Sequence, residues 1–78
     1  MVTKKDQQFG KNLKKLRKSA GLTQEQLAEK AKVSTTYLAY IETGTKRPSL
    51  KVINKIAEVL GVKTKDLFPY WINLSFML

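Results

Sequence analysis

Apolar side chains recur along most of this chain at helical spacing. Phe9, Leu13, Leu16 and Ala20 return every three or four positions between polar neighbours. That period predicts an amphipathic helix from about residue 6 to 20, closed by Gly21. Leu27, Ala28 and Ala31 supply the buried side of a second helix of about two turns. Thr23 has the chemistry of its N-cap, and Gln26 three residues on completes a capping-box pattern. Ser34 caps a third helix over about residues 35–43, with Leu38 and Ile41 facing inward and Gly44 marking the end. Pro48 and Ser49 open a fourth, whose apolar face is Leu50, Ile53, Ile56, Ala57 and Leu60 and whose stop is Gly61. Thr64 caps a last short turn through Asp66, Leu67 and Phe68, which Pro69 interrupts. The expected architecture is all-α, with five short helices around one core.

Beyond Pro69 the spacing changes. Ile72, Leu74, Phe76 and Leu78 alternate with Asn73, Ser75 and Met77, a period nearer 2 than 3.6, so a strand is slightly favoured over a helix. No side chain from Tyr70 to Leu78 carries a charge, and such a segment does not belong in free solvent. The chain thus divides into a polar basic leader over 1–8, a helical domain over 9–68 and a short apolar C-terminal extension over 69–78. It shows no internal repeat, low-complexity stretch or flexible linker.

A length of 78 residues allows one small domain with a modest core, a limit that self-association relieves. Fifteen Lys and Arg against six Asp and Glu give a formal charge of +9, the electrostatic footprint of a polyanion binder. The excess is concentrated early, where Lys4, Lys5, Lys11, Lys14, Lys15, Arg17 and Lys18 face Asp6 alone. Charge by itself does not choose between DNA, RNA and an acidic membrane. The chain has neither Cys nor His, which removes disulfides, thiolate nucleophiles and His-centred metal or acid–base sites and argues against an enzyme. No cofactor or metal is expected. The polar leader has no apolar h-region, and no window reaches the ~18 apolar residues of a membrane span, so a cytoplasmic location without membrane attachment is expected.

On the third helix, Thr35, Thr36, Ala39, Tyr40 and Thr43 share one face opposite Leu38 and Ile41. This face holds small polar groups, methyls and one aromatic ring, with no charge. It suits insertion between base edges better than an ordinary solvated helix surface does. Capping explains Ser34, but a second and third hydroxyl in a row exceed what a cap needs. The run from Thr23 to Gly44 reads as two short helices joined by a tight turn, continued by Lys46-Arg47-Pro48-Ser49-Leu50. Over roughly residues 9 to 68 it resembles the phage-repressor and Cro-like helix-turn-helix family, which lays its second motif helix in the major groove of DNA.

The resemblance implies roles for particular positions. Those matching Thr35, Thr36 and Tyr40 contact bases, and the one matching Gln24 holds a phosphate while bracing the reading helix. Thr35 and Thr36 stand where better-known members carry amides. Bidentate amide–adenine pairing is therefore replaced by thymine-methyl contacts or single hydrogen bonds, and the operator sequence is not deducible. Thr43, Thr45, Lys46 and Arg47 occupy positions that touch the sugar-phosphate backbone, although Lys46 and Arg47 read equally as solvated loop charges. Tyr37 is divided between covering the core edge and reaching a phosphate with its hydroxyl. Arg17 and Glu42 fall where the family pairs an Arg with a Glu for structure. Lys32 replaces the glycine usual in the turn, which implies some strain or reshaping there.

The function expected is a sequence-specific, double-stranded-DNA-binding transcriptional regulator acting as a homodimer on a pseudo-palindromic operator. Leu67, Phe68, Tyr70, Trp71, Ile72, Leu74 and Phe76 are the expected dimerisation residues, because pairing with a second copy satisfies the edges of a lone strand. Folding back onto the chain's own core and terminal disorder are the competing readings of that segment. A chain this small resembles phage repressors and restriction–modification controllers, which act by occupancy. The alternative is an antitoxin whose tail covers a toxin partner. A nonspecific nucleic-acid or RNA binder is disfavoured, since exposed aromatic stacking platforms are lacking.

Overall fold

The computed structural model describes residues 3–69, and every regular element among them is helical. Helix α1 spans Lys4–Ser19, α2 Gln24–Ala31, α3 Thr35–Glu42 and α4 Leu50–Leu60, followed by a single 3₁₀ turn over Thr64–Leu67. Four α-helices and a 3₁₀ turn thus stand where five helices were expected.

Each start has a local cause. Thr23 accepts from the Gln26 N–H while the Gln26 side chain accepts from the Thr23 N–H, the reciprocal cap expected for α2. Ser34 and Ser49 accept from the N–H groups of Tyr37 and Val52 and cap α3 and α4. The first helix begins earlier than its apolar stripe predicts. Thr3 and Asp6 form a capping box, so residues 4–8 are helix and not a separate leader. The last turn also differs from expectation. Lys63 occupies its cap position, its N–H donating to the Asp66 carboxylate, and the Thr64 hydroxyl donates instead to Asn54 on α4.

One core lies among the helices. Leu13, Leu27, Leu38, Ile41, Ile56 and Leu67 are fully buried, each stabilising the fold by about 1.5–3 kcal/mol relative to exposure. Phe9, Ala28, Ala31, Ile53 and Ala57 complete it. Two expectations for this core fail at helix ends. Leu50 is 68% exposed, because the first residue of α4 lies ahead of the stripe that Ile53, Ile56 and Ala57 bury. Ala20 is exposed just past the end of α1.

Leu67 requires a further correction. Its side chain is wholly inside the chain's own core, so it offers no surface for dimerisation. Phe68 is half-buried with its ring tilted against Phe9, centroids 5.0 Å apart. The 3₁₀ turn is further tied to α1 by the Asn12 amide, which donates to the Asp66 carbonyl at 2.8 Å. Tyr70, Trp71, Ile72, Leu74 and Phe76 lie outside the described residues, as does the expected strand.

Two glycines permit close backbone approach. A methyl on Gly10 would sit well inside van der Waals contact with the carbonyl oxygens of Ile41 and Glu42, so α3 rests directly against the backbone of α1. Gly44 turns the chain after α3 at φ 79°, where a side chain would meet Gln7 Cα at 2.8 Å.

Candidate nucleic-acid interface

The rotation of α3 is set by what it buries. Leu38 and Ile41 are fully enclosed, and Glu42 is 6% exposed. With that side held, Thr35, Thr36, Tyr40 and Thr43 are exposed and Ala39 is half-buried beside them. Tyr40, 43% exposed, is the largest side chain of this outward face. The sole acid of α3 is Glu42, which is turned inward, so no carboxylate on this helix stands against a polyanion. Tyr37 is half-buried and packs on the core, with its hydroxyl end as its polar handle.

A buried polar node joins three helices behind this face. Arg17 Nε donates to Glu42 Oε2 at 2.7 Å and Arg17 Nη2 to Glu42 Oε1 at 3.1 Å, a side-on ion pair between α1 and α3. Arg17 Nη1 donates to the Leu22 carbonyl at 2.8 Å. From the first residue of α2, Gln24 Nε2 donates to Glu42 Oε1 at 3.0 Å. Among the described residues no buried side-chain nitrogen or oxygen lacks a partner. Gln24 thereby braces α3 through Glu42, and its amide nitrogen retains a second N–H for another acceptor.

The turn between α2 and α3 keeps the left-handed backbone despite its lysine. Lys32 has φ 59° and ψ 42°, the one positive φ at a non-glycine among the described residues. Val33 N donates to the Ala28 carbonyl at 2.9 Å and closes the turn.

Past α3 the chain folds back on that helix. Thr45 N and Lys46 N both donate to the Tyr40 carbonyl, at 2.8 and 3.2 Å. The Thr43 hydroxyl lies 2.9 Å from that of Thr45. Lys46 Nζ sits 5.6 Å from the centroid of the Tyr40 ring, within cation–π range. Arg47 is 67% exposed and reaches the start of α1, its Nε donating to both oxygens of Asp6 at 2.9 and 3.0 Å. The Asp6 carboxyl is held below the ordinary carboxylate value. The Thr3 backbone N–H is the largest cause, desolvation opposes it, and the Arg47 hydrogen bond follows.

The structure therefore gathers Thr35, Thr36, Ala39 and Tyr40 on one surface and sets Lys46 at its edge, while Gln24 lies behind it beside Glu42. Asp6 and Gly10 escaped sequence reasoning. The pattern Thr3-x-x-Asp6 was a capping signal for an earlier helix start, and a glycine within a helical stripe is a known sign of close packing. Among the described residues no group of three or more His, Cys, Asp or Glu forms a metal-ligand set, and no helix is long and apolar enough to cross a membrane.

Known proteins share this architecture. The family model described as helix-turn-helix matches residues 13–67. The immunity repressor of Bacillus phage phi105 is 46% identical over 58 residues, which are 74% of this chain but only 40% of the phage protein's length. The control protein C.BamHI of Bacillus amyloliquefaciens is 40% identical over 63 residues, 80% of this chain and 78% of that protein. The crystal structure of SinR, a master regulator for biofilm formation, in complex with DNA superposes with a TM-score of 0.72 at 37% identity, covering 76% of this chain and 95% of the SinR chain in that structure. The exposed face of α3, the braced node behind it and these matches together show that the chain belongs to the helix-turn-helix family of DNA-binding transcriptional regulators.

Proposed function

We propose that this protein recognises a specific duplex sequence by placing the outward face of α3 in the major groove, with Thr35, Thr36, Ala39 and Tyr40 against base edges. The observation that carries this reading is the uncharged, exposed face held rigidly by a fully satisfied node on its opposite side. A reading helix must be positioned to within fractions of an ångström, and the node supplies that. Around it, Gln24, Tyr37, Thr43, Lys46 and Arg47 serve the phosphate backbone. They position the domain and contribute salt-dependent affinity without selecting sequence.

The functional unit is a homodimer on a pseudo-palindromic operator, acting by occupancy in the cytoplasm. One reading helix spans only a short half-site, whereas a two-fold pair reads two half-sites separated by about one helical turn, ~34 Å. The uncharged run from Tyr70 to Leu78 supports self-association, since its apolar residues require cover. The antitoxin alternative draws no support from relatives named repressor, control protein and regulator.

Selection of bound sites from a random duplex pool, paired with sedimentation of the free protein, tests both levels. The expected result is one enriched site with two-fold symmetry and a dimeric protein at micromolar concentration. An unenriched pool removes sequence-specific binding, and a strict monomer with a single asymmetric half-site removes the dimer.

A further inference from the structure

We propose that Asp6 is a positioning residue for DNA binding: it grips Arg47 through Nε and presents the terminal guanidinium nitrogens as a pre-set fork for one backbone phosphate. The inference rests on the reading of Arg47 as a phosphate contact. Two Arg–carboxylate pairs among the described residues differ in geometry. The buried Arg17 uses Nε and Nη2 together on Glu42, as a pair built for internal cohesion does. Arg47 gives Nε alone, bonded to both Asp6 oxygens, and an arginine has four further N–H groups on its terminal nitrogens. Those are the groups whose planar spacing matches a phosphate.

The two partners are also unequal in freedom. Asp6 is itself fixed, because its Oδ2 accepts from both the backbone N–H and the hydroxyl of Thr3, and its side chain is 15% exposed. Arg47 is 67% exposed. An anchored carboxylate thus restrains the stem side of a long, solvent-facing cation, removing part of the ordering entropy that binding would otherwise cost. Its location is suitable, since the preceding Lys46 lies over the Tyr40 ring at the edge of the reading face.

Charge and positioning make opposite predictions for Asp6. As the one acid among the first 20 residues of a chain with net charge +9, it should repel DNA if it acts by charge alone. Neutralising it would then tighten binding. If it positions Arg47, neutralising it weakens binding even as the net charge rises.

The experiment compares the full chain with Asp6→Asn, Arg47→Gln and the double variant, on a duplex carrying the selected site and on a scrambled duplex of equal length, across a salt series. We expect Arg47→Gln to weaken both complexes and lower the salt slope by about one. Asp6→Asn should weaken both about three- to tenfold, the scale of ordering one long side chain, and should add nothing in the Arg47→Gln background. Wild-type or tighter binding by Asp6→Asn overturns the positioning role while leaving the Arg47 contact intact. A loss that persists without Arg47 also overturns it, by assigning the effect to the start of α1. Unchanged binding by Arg47→Gln removes the phosphate contact and the inference together.

Discussion

Arg17 on α1 and Glu42 at the end of α3 form a two-point ion pair that is almost fully withdrawn from solvent, and Gln24 at the start of α2 closes it from the third side. The pair couples the stability of the fold to the orientation of α3. Removing one partner leaves a charge stranded in the interior. Glu42→Ala should therefore lower unfolding free energy by about 3–5 kcal/mol, measured by urea denaturation. Replacing both, as Arg17→Met with Glu42→Leu, should cost far less than the sum of the single changes. A Glu42→Ala loss below about 1 kcal/mol would assign the pair to the weak, solvent-screened class.

Gly10 makes a second prediction about the same contact. Its missing side chain lets the carbonyls of Ile41 and Glu42 lie against α1, so Gly10→Ala must push the two helices apart. Overpacking of this kind costs about 1–3 kcal/mol, and the displaced α3 should also bind the selected duplex more weakly. A thermal melt of Gly10→Ala matching that of the wild type would mean the helices separate without resistance.

Lys32 offers the reverse case. At φ 59° it holds a backbone conformation that costs a side-chain-bearing residue about 1–2 kcal/mol, partly offset by the greater chain entropy glycine loses on folding. Lys32→Gly should raise stability by a net ~0.5–1 kcal/mol in denaturant unfolding. A destabilised variant would show that the lysine side chain contributes more than its backbone costs.

The residues that set the fold and the candidate site differ in how far the chain itself announces them. The left-handed turn at Lys32 was legible only through the family resemblance, which puts a glycine at that position, whereas the helix starts at Thr23, Ser34 and Ser49 were legible as hydroxyls ahead of apolar stripes. The outward face of α3 followed from Leu38 and Ile41 on the opposite side. Other features depend on tertiary placement. The Asp6–Arg47 contact joins residues 41 positions apart, and local periodicity carries no information about such a pair. Leu50 and Leu67 show the same limit from the other direction. Both are leucines at helical spacing, yet one is a solvent-facing first residue of α4 and the other closes the core.

Lys46 is expected to act on affinity without selecting sequence. Lys46→Met removes both its charge and its cation–π interaction with the Tyr40 ring while keeping an apolar stem. Binding to selected and scrambled duplexes should weaken together, and the slope of log K against log salt should fall by about one. An unaltered slope would return Lys46 to the role of a solvated loop charge.

Base readout by α3 is tested most directly by measuring, at one fixed salt concentration, the affinities of wild type, Thr36→Ala and Tyr40→Ala for the selected duplex and for its scrambled counterpart. Both side chains are exposed, so their loss should leave the core intact. Each variant is predicted to lose about 1–3 kcal/mol on the selected site and almost nothing on the scrambled one, so that discrimination between the two collapses. Equal losses on both duplexes, or undiminished discrimination in both variants, would contradict recognition through this face of the helix.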